Sequence, residues 1–456
     1  MQSAPPADSP GESPTAPGEK PRSVLGLVFL TVFLDIVGFS IIFPLFPDLL
    51  DHYLALSGEG SFLANLVERL RELAGGDENA VETLFGGLLG SIYGLLQFAF
   101  ATIWGGLSDR IGRRPTLIVT LTGTALSYVA WVFAGAFWVL ILARVLGGIM
   151  AGNISTASAA VADTTSTRDR AKGMGIVGMA IGLGFILGPA IGGLTLGLVE
   201  GAGTGGAAFA LNPFSGPAVA ALVLALVNLA WVVTRFPETL PATRRGQGDV
   251  THALNPFKRL ATLDLPGVVR TNLIYFVYLV AFAAIEFTLT FLAKERLDYG
   301  PRDMVWIFVF VGLIIALVQG GLVRRVAPRF GERLVARVGL LLTVPGFLLI
   351  GRAESAGLLY VGLAFMAVGS ALVMPCLSAL ISRYTPEDRQ GLALGTFRSM
   401  GSLSRAFGPV LGAAGYWYYG SAAPYQAGAV ALVIPIFLAI GLPAPAAHQP
   451  APPEDA

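Results

Sequence analysis

Long apolar runs recur along almost the whole chain, from residue 23 to residue 442. Each run is close to the roughly 20 residues that an α-helix needs to cross the hydrocarbon core of a bilayer. Apolar residues make up 54% of the sequence and charged residues only 13%, whereas soluble proteins carry about a quarter charged residues. The sequence therefore predicts an all-α protein that lies in the lipid bilayer.

The runs predict twelve membrane spans. Their approximate bounds are 23–46, 85–106, 116–135, 137–162, 173–194, 216–234, 268–293, 304–323, 335–351, 356–381, 391–415 and 424–442. The fourth span follows the third almost directly, so this pair is expected to form a tight hairpin. Residues 1–22 and 443–456 are rich in proline and small residues, a composition that predicts disordered tails.

Lysine and arginine are unevenly divided between the two sides of the predicted membrane. The N-terminal tail and the loops after even-numbered spans, with the helix ends beside them, hold 21 of the 30 Lys and Arg residues. The loops on the other side hold six, and three lie within spans. Because cytoplasmic loops carry the excess of positive charge, both termini are predicted to be cytoplasmic.

The first outer loop, residues 47–84, is long and contains an amphipathic segment. Its apolar face recurs at helical spacing, with Ser61 as the expected N-cap and Gly75 as the stop. The face consists of Phe62, Leu63, Leu66, Val67, Leu70 and Leu73. The pattern predicts a helix, either packed on the outer rim or acting as a lid over the external mouth.

The two halves of the chain repeat each other. The pattern Gly188-Pro189 with Gly192 recurs 220 residues later as Gly408-Pro409 with Gly412. Internal repeats of this kind are typical of transporters, whose substrate site lies at the interface of the repeats. The predicted units are an N-terminal bundle, 23–234, a polar linker, 235–267, and a C-terminal bundle, 268–442.

Few charged residues fall inside the predicted spans, namely Asp35, Arg144, Glu286, Arg398 and Arg405. Each costs about 2.5–3.5 kcal/mol on insertion scales and is expected to face a cavity or a partner. The counts predict that Asp35 pairs with Arg144 and Glu286 with Arg405. Static ion pairs and a proton site that opens and closes both remain possible interpretations. Arg398 either contacts an anionic substrate or reaches the inner interface.

Other chemistry is disfavoured by composition. A single cysteine and three histidines outside the apolar runs argue against a metal site, and the net charge of +1 argues against nucleic-acid binding. No Walker A sequence is present, no cofactor is expected, and no cluster of nucleophile and base predicts an enzyme. The expected partners are a small-molecule substrate, protons and the lipid bilayer, with the chain as a monomer. Cavity-lining residues are harder to separate from packing residues; the candidates are Tyr93, Gln97, Tyr275 and Tyr278.

The segment Gly105 to Pro115, between spans 2 and 3, resembles the signature loop of the major facilitator superfamily. Span 1, with Asp35 and Gly38, and span 4, with Arg144, resemble motifs of its twelve-span efflux branch. The glycines of span 5 resemble the motif of drug:proton antiporters; they are Gly178, Gly182, Gly188, Gly192 and Gly193, together with Pro189. The nearest subfamily is the tetracycline-resistance-like transporters.

This resemblance implies a major facilitator fold, with twelve transmembrane helices in two pseudo-symmetric six-helix bundles that rock about a central cavity. It also implies a charge network at the cytoplasmic seam, in which Asp109 faces the start of span 11 near Gly391. The other gate residues are Gly106, Arg110, Gly112, Arg113 and Arg114. In the second half Arg324 replaces the aspartate, so this seam is expected to be asymmetric.

The resemblance further implies proton coupling through Asp35 and Arg144, while Glu286 and the arginines of span 11 match no family motif. The favoured hypothesis is a proton-coupled exporter of small amphipathic or organic-anion compounds in the inner (plasma) membrane. The alternatives are a facilitator or proton symporter for a nutrient and, from another class, a membrane receptor that transports nothing.

Overall fold

The structure, a computed structural model, describes residues 21–56, 58, 61–73, 78–165, 167–199, 207–245, 265–386 and 389–444. Most of the predicted tails, most of the linker and the expected stop at Gly75 lie outside these residues. Long α-helices dominate the described part of the chain. The apolar runs form these helices because a helix satisfies its own backbone hydrogen bonds, which lipid cannot do.

The first half of the chain forms nine α-helices among its described residues. A 3₁₀ turn, Phe43–Leu45, joins the first helix to the second, and another, Ala242–Arg244, follows the ninth. The helices are α1 Pro21–Ser40, α2 Phe46–Leu56, α3 Phe62–Leu73, α4 Glu78–Ile111, α5 Arg113–Val132, α6 Phe137–Met150, α7 Asn153–Thr164, α8 Thr167–Thr195 and α9 Ser215–Arg235.

The second half follows the same plan. A π-helical segment, Val318–Val323, connects two of its helices. The helices are α10 Pro266–Leu297, α11 Pro301–Leu317, α12 Arg324–Phe330, α13 Glu332–Gly351, α14 Ala356–Tyr384, α15 Gln390–Tyr419, α16 Ala423–Ala431 and α17 Val433–Ile440.

Eleven helical segments among the described residues are long and apolar enough to cross a membrane, and they coincide with predicted spans. The remaining predicted span, 391–415, is α15, which is 30 residues long. Arg398, Arg405 and several glycines lower its hydropathy. At about 1.5 Å per residue it still has the length needed to cross.

The predicted span 137–162 is interrupted, because α6 ends at Met150 and α7 begins at Asn153. The side chain of Trp104 fills the space that a Cβ on Gly152 would need. Its Nε1 donates a 2.6 Å hydrogen bond to the carbonyl of Ile149. That carbonyl is free to accept because the helix ends there.

The outer loop contains two helices where the sequence predicted one. Helix α3 confirms the amphipathic segment, since Ser61 Oγ accepts a 3.1 Å hydrogen bond from the Ala64 backbone N–H. Leu63 and Val67 on its apolar face are buried. Helix α2, which continues the first span through the 3₁₀ turn, was not predicted.

The two halves pack closely at the end of the molecule away from Asp109. Helix α4 lies against α15, and α8 lies against α11. A Cβ on Gly193 would lie 2.6 Å from the carbonyl oxygen of Pro301, so the backbones of α8 and α11 are nearly in contact there. An ion pair of 3.1 Å between Lys294 Nζ and Asp51 Oδ2 joins the halves at the same end.

Candidate functional site

A vestibule of ≈ 490 Å³ opens between the halves at the end that carries Asp109. It is bounded by α4, the start of α5, α7 and α8 on one side and by α15 on the other. Gln97, Gly106 and Asp109 line the first side, and Arg398 lines the second. The halves are therefore separated at this end and joined at the other.

Two smaller pockets continue inward from the vestibule. Gln97 lines both the vestibule and a central pocket of ≈ 50 Å³, which also contains Arg144, Glu286 and Arg405. A third pocket of ≈ 130 Å³ shares Glu286 and Arg405 with the central one and extends between α8 and α11. Four of the five ionisable residues predicted from the spans thus line this space: Arg398 the vestibule, and Arg144, Glu286 and Arg405 the pockets. Asp35 lines none of the three.

Asp35 does not pair with Arg144. Within the part of the chain that the structure describes, its carboxylate forms no ion pair and accepts one hydrogen bond, of 2.7 Å, from Asn153 Nδ2. Thr120 Oγ1 lies 2.5 Å from Asn153 Oδ1, which fixes the orientation of the amide. The predicted pairing fails because the break before α7 brings a neutral donor to Asp35.

Arg144 packs against aromatic rings. Its guanidinium carbon lies 4.5 Å from the centre of the Tyr93 ring and 6.0 Å from that of Phe39. Among the described residues, its Nε and Nη2 have no hydrogen-bond partner. A desolvated cation over an aromatic face gains about 2 kcal/mol, but the N–H groups stay unsatisfied. Such groups are available to an anion.

Glu286 and Arg405 face the same pocket without forming an ion pair among the described side chains. The positive charge of Arg405 still acts electrostatically on Glu286. The guanidinium of Arg405 lies 4.8 Å from the centre of the Phe185 ring. Glu286 and Arg405 are therefore neighbours in one pocket, but they do not form the predicted salt bridge.

Arg398 contacts the opposite half. Its Nη2 donates a 3.2 Å hydrogen bond to the carbonyl of Met174 and lies 3.7 Å from the same residue's sulfur. The Arg398 side chain thus reaches from α15 to α8, and both Arg398 and Met174 line the vestibule. Arg398 is not part of the central pocket.

Three predicted cavity residues lie elsewhere. Tyr93 lines none of the three spaces described above, and its ring lies beneath the Arg144 guanidinium; the other two are tyrosines of the second half. Tyr275 stacks on Phe397 with 3.9 Å between ring centres, and Tyr278 is fully buried beside Phe282. Neither tyrosine lines the vestibule or the two pockets described above. Both pack inside the second half.

The junction of α4 and α5 forms a charge network centred on Arg113, the first residue of α5. Its guanidinium donates to Asp109 at 2.5 Å, to Asp163 at 2.8 Å and to Ser108 at 2.6 Å. The first two carboxylates come from the last turn of α4 and from α7. Gly391, the predicted partner of Asp109, is at a position whose surroundings the structure does not describe, so that contact stays a prediction. Arg110 lies exposed at the end of α4.

Glu238 completes this network and was missed by the sequence reasoning. Its carboxylate accepts backbone hydrogen bonds from Arg113 at 2.9 Å and Arg114 at 3.2 Å. These are free N–H groups at the start of α5, where a negative charge is favourable. Gly112, with φ of 109°, turns the chain into α5, and a Cβ there would collide with Glu238. Arg114 Nη2 also donates to the carbonyl of Val233, at 2.6 Å.

The span 5 glycines divide into two groups along α8. Gly188 and Gly192 lie against the backbone of α1 at Val37 and Ile41, so each permits close packing. Pro189 lies between them, and Gly193 faces α11. Gly178 and Gly182, nearer the Asp109 end, have open space where a Cβ would project.

Asn153, which holds Asp35, was also missed. The sequence did contain a sign of it, because Asn153 is a polar amide inside an apolar run. Polar groups at such depth in a membrane are commonly functional. The direction of its side chain depends on the break in span 4, which the apolar pattern does not reveal.

Comparisons with known proteins agree with this architecture. The family model of the Major Facilitator Superfamily matches residues 28–330 and 325–456. Major facilitator superfamily domain-containing protein 10 from Homo sapiens is 34% identical over 455 residues, covering 93% of this chain and 94% of the relative. The class C tetracycline resistance protein from Escherichia coli is 26% identical over 393 residues, covering 86% and 89%. The crystal structure of the human organic anion transporter MFSD10 (TETRAN) superposes with a TM-score of 0.76 at 32% identity, covering 92% of this chain and 100% of that one.

Proposed function

This chain belongs to the major facilitator superfamily, and from that premise we propose that it exports organic anions in exchange for protons. The fold is that of a multi-pass membrane transporter rather than an enzyme. Its substrate class follows from the charges around the central pocket. Its coupling follows from the carboxylates nearby.

The observation that carries the anion assignment is the excess of arginine around the central pocket. Arg144 and Arg405 face this space against the single carboxylate of Glu286. The unsatisfied N–H groups of Arg144 favour an anionic ligand, because charge-assisted hydrogen bonds are roughly twice as strong as neutral ones. The relative described as an organic anion transporter supports the same substrate class.

Proton coupling is proposed for Asp35 and Glu286. Each is a carboxylate in a membrane-spanning helix. Glu286 lines the central pocket, and Asp35 is bound by Asn153 at the start of α7, the helix that borders the vestibule. Neither forms an ion pair within the described residues, so protonation requires no salt bridge to break. The relatives named for tetracycline resistance make export the favoured direction.

The wider arrangement is also part of this proposal. Bundles 23–234 and 268–442, joined by the linker 235–267, alternate access to the central pocket. Both termini and the Asp109 end face the cytoplasm, and the protein acts as a monomer in the inner membrane.

The test uses purified protein in liposomes with an imposed pH gradient. Dansylglycine, a fluorescent carboxylate, is the probe, and ethidium is the matched cationic control. We expect dansylglycine to accumulate on the acidic side while protons move the opposite way, with no ethidium flux. Movement of dansylglycine together with protons would favour a symporter, and gradient-independent equilibration would favour a facilitator. Flux of neither probe would contradict the proposal.

A further inference from the structure

Helices α8 and α11 are in contact at Ile186 and Gly312, and they separate toward the Asp109 end of the molecule. A Cβ on Gly312 would collide with Ile186, so the two helices are in close contact there. Toward the Asp109 end, Gly182 and Gly178 of α8 and Gly320 after α11 have open space where a Cβ would project. From Ile186 to Gly178 the separation extends over about 12 Å at 1.5 Å per residue.

The ≈ 130 Å³ pocket occupies this separation. Its walls are apolar side chains of α8, α10, α11 and α14, with Leu279 and Phe308 among them. Its inner end is formed by Glu286 and Arg405, and Gly178 and Gln319 lie toward the other end. The pocket is thus charged where it meets the central space and apolar along its length.

The outer faces of the same two helices expose large apolar side chains. Met179 is 41% exposed, Leu313 58% and Leu317 65%. In a membrane-spanning segment such side chains face lipid. The pocket therefore lies between the central space and the lipid-facing surface.

The central pocket, which adjoins the charged end of the α8–α11 pocket, offers unsatisfied donors. Arg144 is only 4% exposed, and within the described structure its Nε and Nη2 have no hydrogen-bond partner. It lines the central pocket together with Arg405 and Glu286, which also line the α8–α11 pocket. A buried donor without a partner costs about 1–3 kcal/mol, which an anionic head group at this point would offset.

We propose that the substrate is a single-chain amphipathic anion that enters from the bilayer between α8 and α11. Its head group lies between Arg144 and Arg405, and its apolar tail fills the α8–α11 pocket. This inference rests on the proposed anion transport, to which it adds a route and a shape. The vestibule remains the route to water.

The test compares two probes that share a fluorophore and a carboxylate. Dansylundecanoate partitions into lipid, whereas dansylglycine stays in water. Association with the protein in lipid nanodiscs is followed by energy transfer from its tryptophans. The variants are Gly178→Phe and Gly182→Leu, which fill the opening, and Met179→Phe, which adds the same ring on the lipid-facing side.

We expect both filling variants to slow association of dansylundecanoate about tenfold, within the range of rate changes seen among variants of one site. Dansylglycine association and the Met179→Phe variant should be unaffected. Equal slowing of both probes, or no slowing in a variant whose thermal stability matches wild type, would overturn the route. If dansylglycine binds and Arg405→Gln does not weaken dansylundecanoate binding, the head-group assignment is wrong. If wild type binds neither probe, the proposed anion function itself fails.

Discussion

Asp35 has a neutral hydrogen-bond donor where the sequence predicted a cation. The carboxylate accepts from Asn153, whose amide is oriented by Thr120. A charged partner would hold the carboxylate ionised, whereas this arrangement leaves it able to gain and lose a proton. Sequence reasoning identified Asp35 from its depth in the span, but which side chain reaches it depends on how α7 is rotated.

Replacing Asp35 by asparagine removes the proton site and keeps the shape. We expect Asp35→Asn to abolish dansylglycine accumulation driven by a pH gradient, because no proton is bound during the cycle. Exchange of dansylglycine on both sides should persist, since the arginines of the central pocket are intact. Both fluxes are measured in liposomes. Unchanged pH-driven accumulation would remove Asp35 from the coupling mechanism.

At the scale of elements, glycine spacing predicted where helices approach but not which partner each glycine faces. The spacing in span 5 indicates close packing, and Gly188 and Gly192 do pack on α1. Gly178 belongs to the same repeat yet faces open space. The difference arises because Gly188 and Gly192 face the first helix whereas no neighbour among the described residues lies against Gly178, and which neighbour each position meets depends on contacts far apart in sequence.

The two kinds of glycine predict opposite responses to alanine. A Cβ on Gly192 would collide with the backbone carbonyl of Ile41, so Gly192→Ala should destabilise the protein by about 1–3 kcal/mol through overpacking. Gly178→Ala should preserve or slightly raise stability, because alanine is the better helix former. Thermal unfolding in detergent measures both. Equal losses in the two variants would contradict the packing described for α8.

Helix α2 predicts a pH dependence of stability. Partial burial lowers the pKa of His52 from its ordinary 6.5, and its ring lies against Tyr53 and Phe214. The neutral ring is therefore favoured in the folded protein. The neutral His52 ring makes its full contribution to the free energy of unfolding above pH 6.5. That contribution is lost as the pH falls from 6.5 toward the lowered pKa of the folded state.

We expect thermal stability to decline on acidification in wild type and to decline less in His52→Phe, which keeps an aromatic ring but cannot gain a proton. A pH profile identical in wild type and His52→Phe would exclude this histidine.

For the whole molecule, hydropathy was enough to predict the twelve spans. The family fold then followed from the motifs around Asp109. The predicted pairings of Asp35 and Glu286 were not correct. Each predicted pair lies within one half, so its geometry depends on how the helices of that half are rotated against each other, which local sequence does not reveal.

The structure is closed at one end and open at the other. The ion pair of Lys294 with Asp51 spans the closed end, and the vestibule opens beside Asp109. If Asp109 contacts the start of α15 only when its own end closes, Asp109→Asn should favour the state seen here. Lys294→Gln should favour the opposite state.

The most direct test of alternating access is a pair of distance measurements in one background, with Cys376 replaced by alanine. Spin labels at Leu56 and Tyr419 report on the closed end, and labels at Pro241 and Arg329 report on the open end. We predict that Lys294→Gln lengthens the Leu56–Tyr419 distance and shortens the Pro241–Arg329 distance. Distances that stay unchanged, or that lengthen together, would contradict the account.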